Sequence, residues 1–179
     1  HTSGALTHRT VAEMAKRVGL TIVHTDDLPH SARAVVDLEH GRIYIPPASI
    51  PGGHGLRSLA LQAMANTVLE HEAPADYADF LRQRLEASYF AAACLMPRTA
   101  SVDFLERAKR ERNIAIEDFR DTFGVTHEGA ALRFTNLATH YLGITLHYLR
   151  VDGDGTVVGA YENDGLPLPQ DATGSTEGE

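Results

Sequence analysis

Two long apolar helical segments, lying end to end at about 55–72 and 74–96, constrain this chain more than anything else in it. Along "LALQAMANTVLEHE", residues 59–72, and the turn before it, Leu56, Leu59, Ala60, Leu61, Met64, Ala65, Val68 and Leu69 occupy almost the whole circumference. Only Gln62, Asn66 and Glu70 form a polar stripe, and a helix of that kind is normally buried. The second segment contains "RLEASYFAAACLMP" and becomes apolar on every face in its second half. Pro74 suits a first turn, and Pro97 closes it. Glu86 lies on the side away from Leu81, Leu85 and Leu95, at the point where the helix starts to enter the core. A buried carboxylate needs donors or a cation. Gln62 and Asn66 supply amide donors if the two helices face each other, and each amide left unpaired would cost roughly 1–3 kcal/mol.

The remaining sequence supplies what such a helix pair packs against. Val11, Met14, Ala15 and Val18 have helical spacing, and Gly19 follows as a stop. "LTIVHT" reads as a short strand. "ARAVVDLEHGRIYIPP" reads as a hairpin turned at Glu39-His40-Gly41. "TASVDFLERAKRERN" is a helix with Ser101 as its expected N-cap. Two helices follow around Gly124, and "ITLHYLRVDGDGTVVGAYE" is a second hairpin turned at Asp152–Gly155. The order of elements is α+β and mainly helical, with a small antiparallel sheet and hairpins. Residues 1–6 are expected to be a tag remnant or a disordered start, 7–162 the folded domain, and 163–179 a linker toward a further C-terminal region. The 47–55 loop and the terminal tail are the expected mobile parts.

Charge and composition narrow the function. Sixteen basic residues against 24 acidic ones give a net charge of −8. Phosphate attraction dominates non-specific nucleic-acid binding, so this chain is a poor DNA binder by itself. "IEDFRDTFGVTHEGAALRF" mimics a helix-turn-helix, but its second helix offers Arg133 alone among alanines and large apolar residues, which fits a packing helix. The basic run 106–113 reads as a solvated helix face. No apolar run approaches the length of a membrane span, no apolar signal region opens the chain, and the single Cys94 suits a reducing cytoplasm. Cys94, set in "AAACLMP", reads as a structural thiol. Ten histidines invite a metal reading. "HEAPA" lacks a second histidine at position 75, and His24, His30, His40, His54 and His127 are scattered over strands and loops.

Positions 62, 63 and 66 nevertheless have the spacing that zinc peptidases use. There, two imidazoles one turn apart bind the metal, a neighbouring glutamate activates water, and a carboxylate from a second helix completes the set. Here Gln62, Ala63 and Asn66 carry none of that chemistry. "RSLALQAMANTVL" followed by "EASYFAAACLMP" is similar to the ImmA/IrrE-type metallopeptidase family. Arg57 matches that family's opening arginine, Gln62, Ala63 and Asn66 fall on its His, Glu and His, and Glu86 falls on its third ligand. "FGVTHEGAALRFTNL" resembles the family's continuation. The resemblance covers roughly residues 7–160. More narrowly, the chain resembles the middle domain of RamB-like regulators, the short-chain fatty-acyl (ScfR) group of XRE-family transcriptional regulators. There a degenerate zincin-like domain follows a helix-turn-helix domain.

That resemblance implies a cytoplasmic regulatory domain that senses an acyl-CoA-like metabolite, reaches DNA through a separate domain, and forms a homo-oligomer. It implies no zinc and no catalysis. The candidate ligand-binding residues are Gln62, Asn66, Glu86, Tyr89, Phe90 and Met64. Two readings of the polar trio stay open: a satisfied network filling a former metal cavity, or a small-ligand pocket with a polar floor and apolar walls. A residual zinc metallopeptidase and a purely structural oligomerisation module are the alternatives from other classes.

Overall fold

A computed structural model describes residues 5–29, 31–47 and 55–161. His30, His54, most of the 47–55 loop and the tail from 162 lie outside the described residues, as do residues 1–4. Along the chain run α1 (His8–Arg17), β1 (Thr21–His24), β2 (Val35–Asp37), β3 (Arg42–Ile45), α2 (Leu56–Val68), α3 (Tyr77–Leu95), α4 (Arg98–Arg110), α5 (Ile116–Phe123), α6 (His127–Leu142), β4 (Tyr148–Val151) and β5 (Val157–Tyr161). The fold is α+β and mainly helical. Among the described residues no helix is long and apolar enough to cross a membrane.

The described chain divides into two compact units. The first comprises the chain through Pro97 together with Thr122–Thr126. In it α2 packs chiefly on α3, and also on α1 and β3. Val11, Ala15, Ile43, Ile45, Ala60, Leu61, Met64, Ala65, Ala87 and Ala91 form its interior. Thr7 caps α1, its hydroxyl accepting from the Thr10 amide at 3.1 Å. The 35–45 hairpin forms as the sequence predicts, with Val36 opposite Ile43. One pairing departs from the antiparallel expectation: β1 runs parallel to β3, in the order β1-β3-β2. The loop after β1 carries the chain to the far edge of the sheet, so the hairpin's return strand, β3, becomes the central one.

The second unit holds Arg98–Asp121 and the chain from His127. Phe119 is fully buried and meets Phe104 and Phe134 edge-on, with ring centroids 5.6 and 6.5 Å apart. α6 packs on α4 and buries Ala130, Ala131, Arg133, Phe134, Leu137 and Ala138. Arg133 is thus an interior residue, which fits the packing-helix reading. Ser101 does not cap α4. The helix begins three residues earlier at Arg98, which leaves Ser101 inside it and fully buried. The basic run is not wholly solvated either, since Lys109 donates to the Leu142 carbonyl at 2.6 Å, a cation placed at the end of α6. The second hairpin turns as predicted, with one Asp152 carboxylate oxygen accepting from the amides of Asp154 and Thr156.

Candidate functional site

The sequence places its candidate trio on α2 and α3, and both helices differ in extent from expectation. α3 starts at Tyr77, three residues past Pro74, because Asp76 caps it: its carboxylate accepts from the Asp79 amide at 2.8 Å. Asp79 reaches back to the Ala75 amide at 3.1 Å, so the two acids satisfy the helix start reciprocally. α2 ends at Val68, short of Glu72. Leu69 is its C-cap, Glu70 takes φ 55°, and the His71 amide bonds back to the Asn66 carbonyl at 2.9 Å. That six-to-one bond is the Schellman ending, which ordinarily has glycine in the left-handed position.

This helix ending creates a contact the sequence reading missed. It turns the His71 ring back toward α2 and α3, where the side chain is only 6% exposed. Nε2 donates to Glu86 Oε2 at 2.7 Å, and Nδ1 lies 3.0 Å from Asn66 Oδ1. The other Glu86 oxygen accepts from Arg82 at 2.6 Å, and Arg82 also pairs with Asp79. Gln83, buried on the inner face, donates to the Glu72 carbonyl at 3.1 Å and so fastens the loop that carries His71. The His71 hydrogen bond, reinforced by Arg82, holds the Glu86 carboxyl below its usual range.

The expected pairing of Gln62 and Asn66 with Glu86 is therefore corrected. Gln62 donates instead to the Ser58 hydroxyl at 3.0 Å, one turn earlier on its own helix. Asn66 is exposed and meets Glu86 only through the imidazole between them. Nor is Glu86 buried, since its side chain is 41% exposed. The expectation of an all-round buried α2 fails at the same end, where Val68 and Leu69 are exposed. A unit this small lacks the surface to cover every face of both helices, so the polar ends go to solvent. Of the apolar candidates, Met64 lies in the core, Phe90 is half-buried, and Tyr89 stands exposed on the outward face of α3. Cys94 is half-buried, and burial raises its thiol pKa, consistent with an unreactive group.

The opposite end of α2 is built differently. Arg57 is buried, and its guanidinium donates to the carbonyls of Leu6 and Gly124. Gly124 takes φ +60°, and a Cβ there would sit 3.1 Å from an Arg57 nitrogen. The arginine thus ties the start of the chain and the turn after α5 to the core helix.

Chemically, the arrangement does not fit a three-ligand zinc site. It holds one imidazole and one carboxylate, already bonded to each other, together with amides that are weak zinc ligands. Among the described residues no group of three or more His, Cys, Asp or Glu side chains is placed to hold a metal ion. What the site offers is a cluster of hydrogen-bonding groups where the C-terminal end of α2 meets the middle of α3.

No protein-family model matches the chain, and no curated protein matches it. Among solved structures it is similar to a Mycobacterium tuberculosis transcriptional regulator, with a TM-score of 0.67 at 22% identity. The match covers 85% of this chain and 48% of that one. Likeness at this identity establishes a shared fold. The chain spans about half the length of that regulator.

Proposed function

We propose that this chain is a regulatory, ligand-sensing part of a transcriptional regulator, and that it performs no catalysis. The observation that carries the proposal is the fold shared with a transcriptional regulator over most of this chain. The chemistry at the zincin-like positions agrees with it, because Gln62, Ala63 and Asn66 offer neither a metal-binding imidazole pair nor a proton acceptor. The proposed ligand is a short-chain acyl-CoA or related fatty-acyl metabolite, the class implied by the resemblance to the short-chain fatty-acyl regulators. Gln62, Asn66, His71 and Glu86 would receive its polar part, with Phe90 and Tyr89 beside them and Met64 supporting the floor from the core. DNA would be reached through a separate domain. Binding acts by favouring one arrangement of the protein over another, and only by as much as its affinity for the two differs.

A thermal-shift titration with acetyl-, propionyl- and butyryl-CoA and the free acids tests this. A specific ligand at a hundredfold excess over its Kd stabilises the fold by about 2.7 kcal/mol, and His71→Ala should reduce the shift. No shift with any of them would remove the acyl-ligand reading and favour a structural module. About one zinc per chain, with peptide cleavage lost on chelation, would replace the whole proposal with a metallopeptidase.

A further inference from the structure

The outward face of α3 carries a second feature, which shares only Tyr89 with the proposed ligand site. Tyr77, Leu81, Leu85 and Tyr89 follow one another at four-residue steps and are 74%, 41%, 71% and 59% exposed. Four large apolar side chains on successive turns of one helix form a continuous exposed ridge about 18 Å long. Single exposed apolar residues are ordinary, whereas a contiguous apolar patch marks an interaction site.

The order of residues in the ridge indicates what covers it. Tyr-Leu-Leu-Tyr reads the same in both directions. Reversal about position 83 lays Tyr77 on Tyr89 and Leu81 on Leu85, and also lays Ala78 on Ser88, both small and exposed. A face used by a two-fold dimer must be complementary to itself, and a palindromic ridge satisfies this for two antiparallel copies of the same helix. Antiparallel order also opposes the two helix dipoles favourably. The neighbouring charges are held aside: Arg82 is paired with Asp79 and Glu86, and the Arg84 guanidinium lies 5.7 Å from the centre of the Phe80 ring. Neither cation needs a partner from a second chain.

We infer that this chain self-associates through α3, the antiparallel helices of two copies crossing with Leu81 of each against Leu85 of the other and the tyrosines closing the two ends. Ridges made of four-residue steps pack at a crossing angle near 50°, with the i±4 rows of both helices interlocked. A single crossing of this kind buries less than a standard interface of about 800 Å² per partner. The dimer is therefore weak and depends on concentration, with a dissociation constant on the order of micromolar or higher.

Sedimentation equilibrium of the ligand-free chain from about 1 to 200 micromolar tests this, because that range spans the expected constant. The average mass should rise from one chain toward two, and Leu85→Glu should weaken association at least about tenfold while circular dichroism stays unchanged. Register is tested in a Cys94→Ser background by mixing Leu81→Cys with Leu85→Cys under mild oxidation. The cross-linked product should be the mixed pair in preference to either self-pair. A monomer at every concentration, a dimer indifferent to Leu85→Glu, or predominant self-pairs would overturn the inference. None of these readouts involves an acyl ligand, so their failure is distinct from failure of the sensing proposal.

Discussion

The two ends of α2 carry polar residues for opposite purposes. At the N-terminal end Arg57 is enclosed, and the backbone carbonyls of Leu6 and Gly124 take its hydrogen bonds. At the C-terminal end Asn66, His71 and Glu86 bond side chain to side chain, at a rim where Asn66 and Glu86 reach solvent. A buried guanidinium that satisfies half-buried backbone carbonyls cannot leave without stranding them, whereas exposed side chains such as Asn66 and Glu86 exchange a partner for water at little cost. The first end ties backbone to a core helix, and the second is a side-chain network that meets solvent at Asn66 and Glu86.

The largest test of that contrast is Arg57→Met. The half-buried carbonyls of Leu6 and Gly124 lose their donor, and stability should fall by about 3 kcal/mol in chemical denaturation. A loss below 1 kcal/mol would mean that the enclosed end does not anchor the fold. Gly124→Ala strikes the same end through the backbone. A non-glycine residue at φ +60° is strained, and its Cβ crowds the guanidinium, so about 2 kcal/mol should be lost. At the other end, His71→Ala should cost less than Arg57→Met, because its partners Asn66 and Glu86 both reach water once the imidazole is gone. Glu86→Leu should shift the denaturation midpoint by less than Arg57→Met does, because the exposed carboxylate leaves partners that water can satisfy. A rim mutant as damaging as Arg57→Met would erase the distinction.

Helix endings sharpen the comparison further. α1 and α2 stop with the same six-to-one bond, from Leu20 to Ala15 and from His71 to Asn66. Gly19 holds the left-handed position in the first and Glu70 in the second. Glu70→Gly should therefore stabilise the protein by about 0.5–1 kcal/mol, read as a higher melting temperature, while leaving His71 in place. The smallest effect concerns acid. Asp79, held down first by the Ala75 amide, and Glu86, held down first by His71, both lie below their usual values of 3.8 and 4.5. Depressed carboxylates stabilise the fold above those values and lose that contribution as pH falls through the lower folded ones. A stability profile should thus decline below about pH 4.5, and less steeply in Glu86→Gln.

Much of the architecture was legible because it rests on local signals. Apolar periodicity marked α2 and α3, and the glycine and aspartate turns marked both hairpins. Ser101 has the residue type of a cap but lies inside α4, because Arg98–Ala100 continue the helix backward, a choice the apolar packing of α4 makes and no local pattern announces. The parallel pairing of β1 with β3 depends on where a connecting loop carries the chain, which no strand encodes in itself. No local pattern marks His71, which has no second histidine one turn away, because its partners come from a reversed helix ending and from another helix.

By itself the sequence determined the α+β character, the helix pair, the turns and the side-chain types at positions 62, 63 and 66, since propensity, periodicity and side-chain chemistry belong to residues one at a time or to near neighbours. Only the tertiary structure decided which polar groups meet, that Arg57 holds two distant carbonyls, and that Glu86 answers to His71 rather than to the amides. Those pairings depend on how α2 and α3 end and pack, and hydrogen bonds act over about 3 Å, a distance that sequence spacing does not measure.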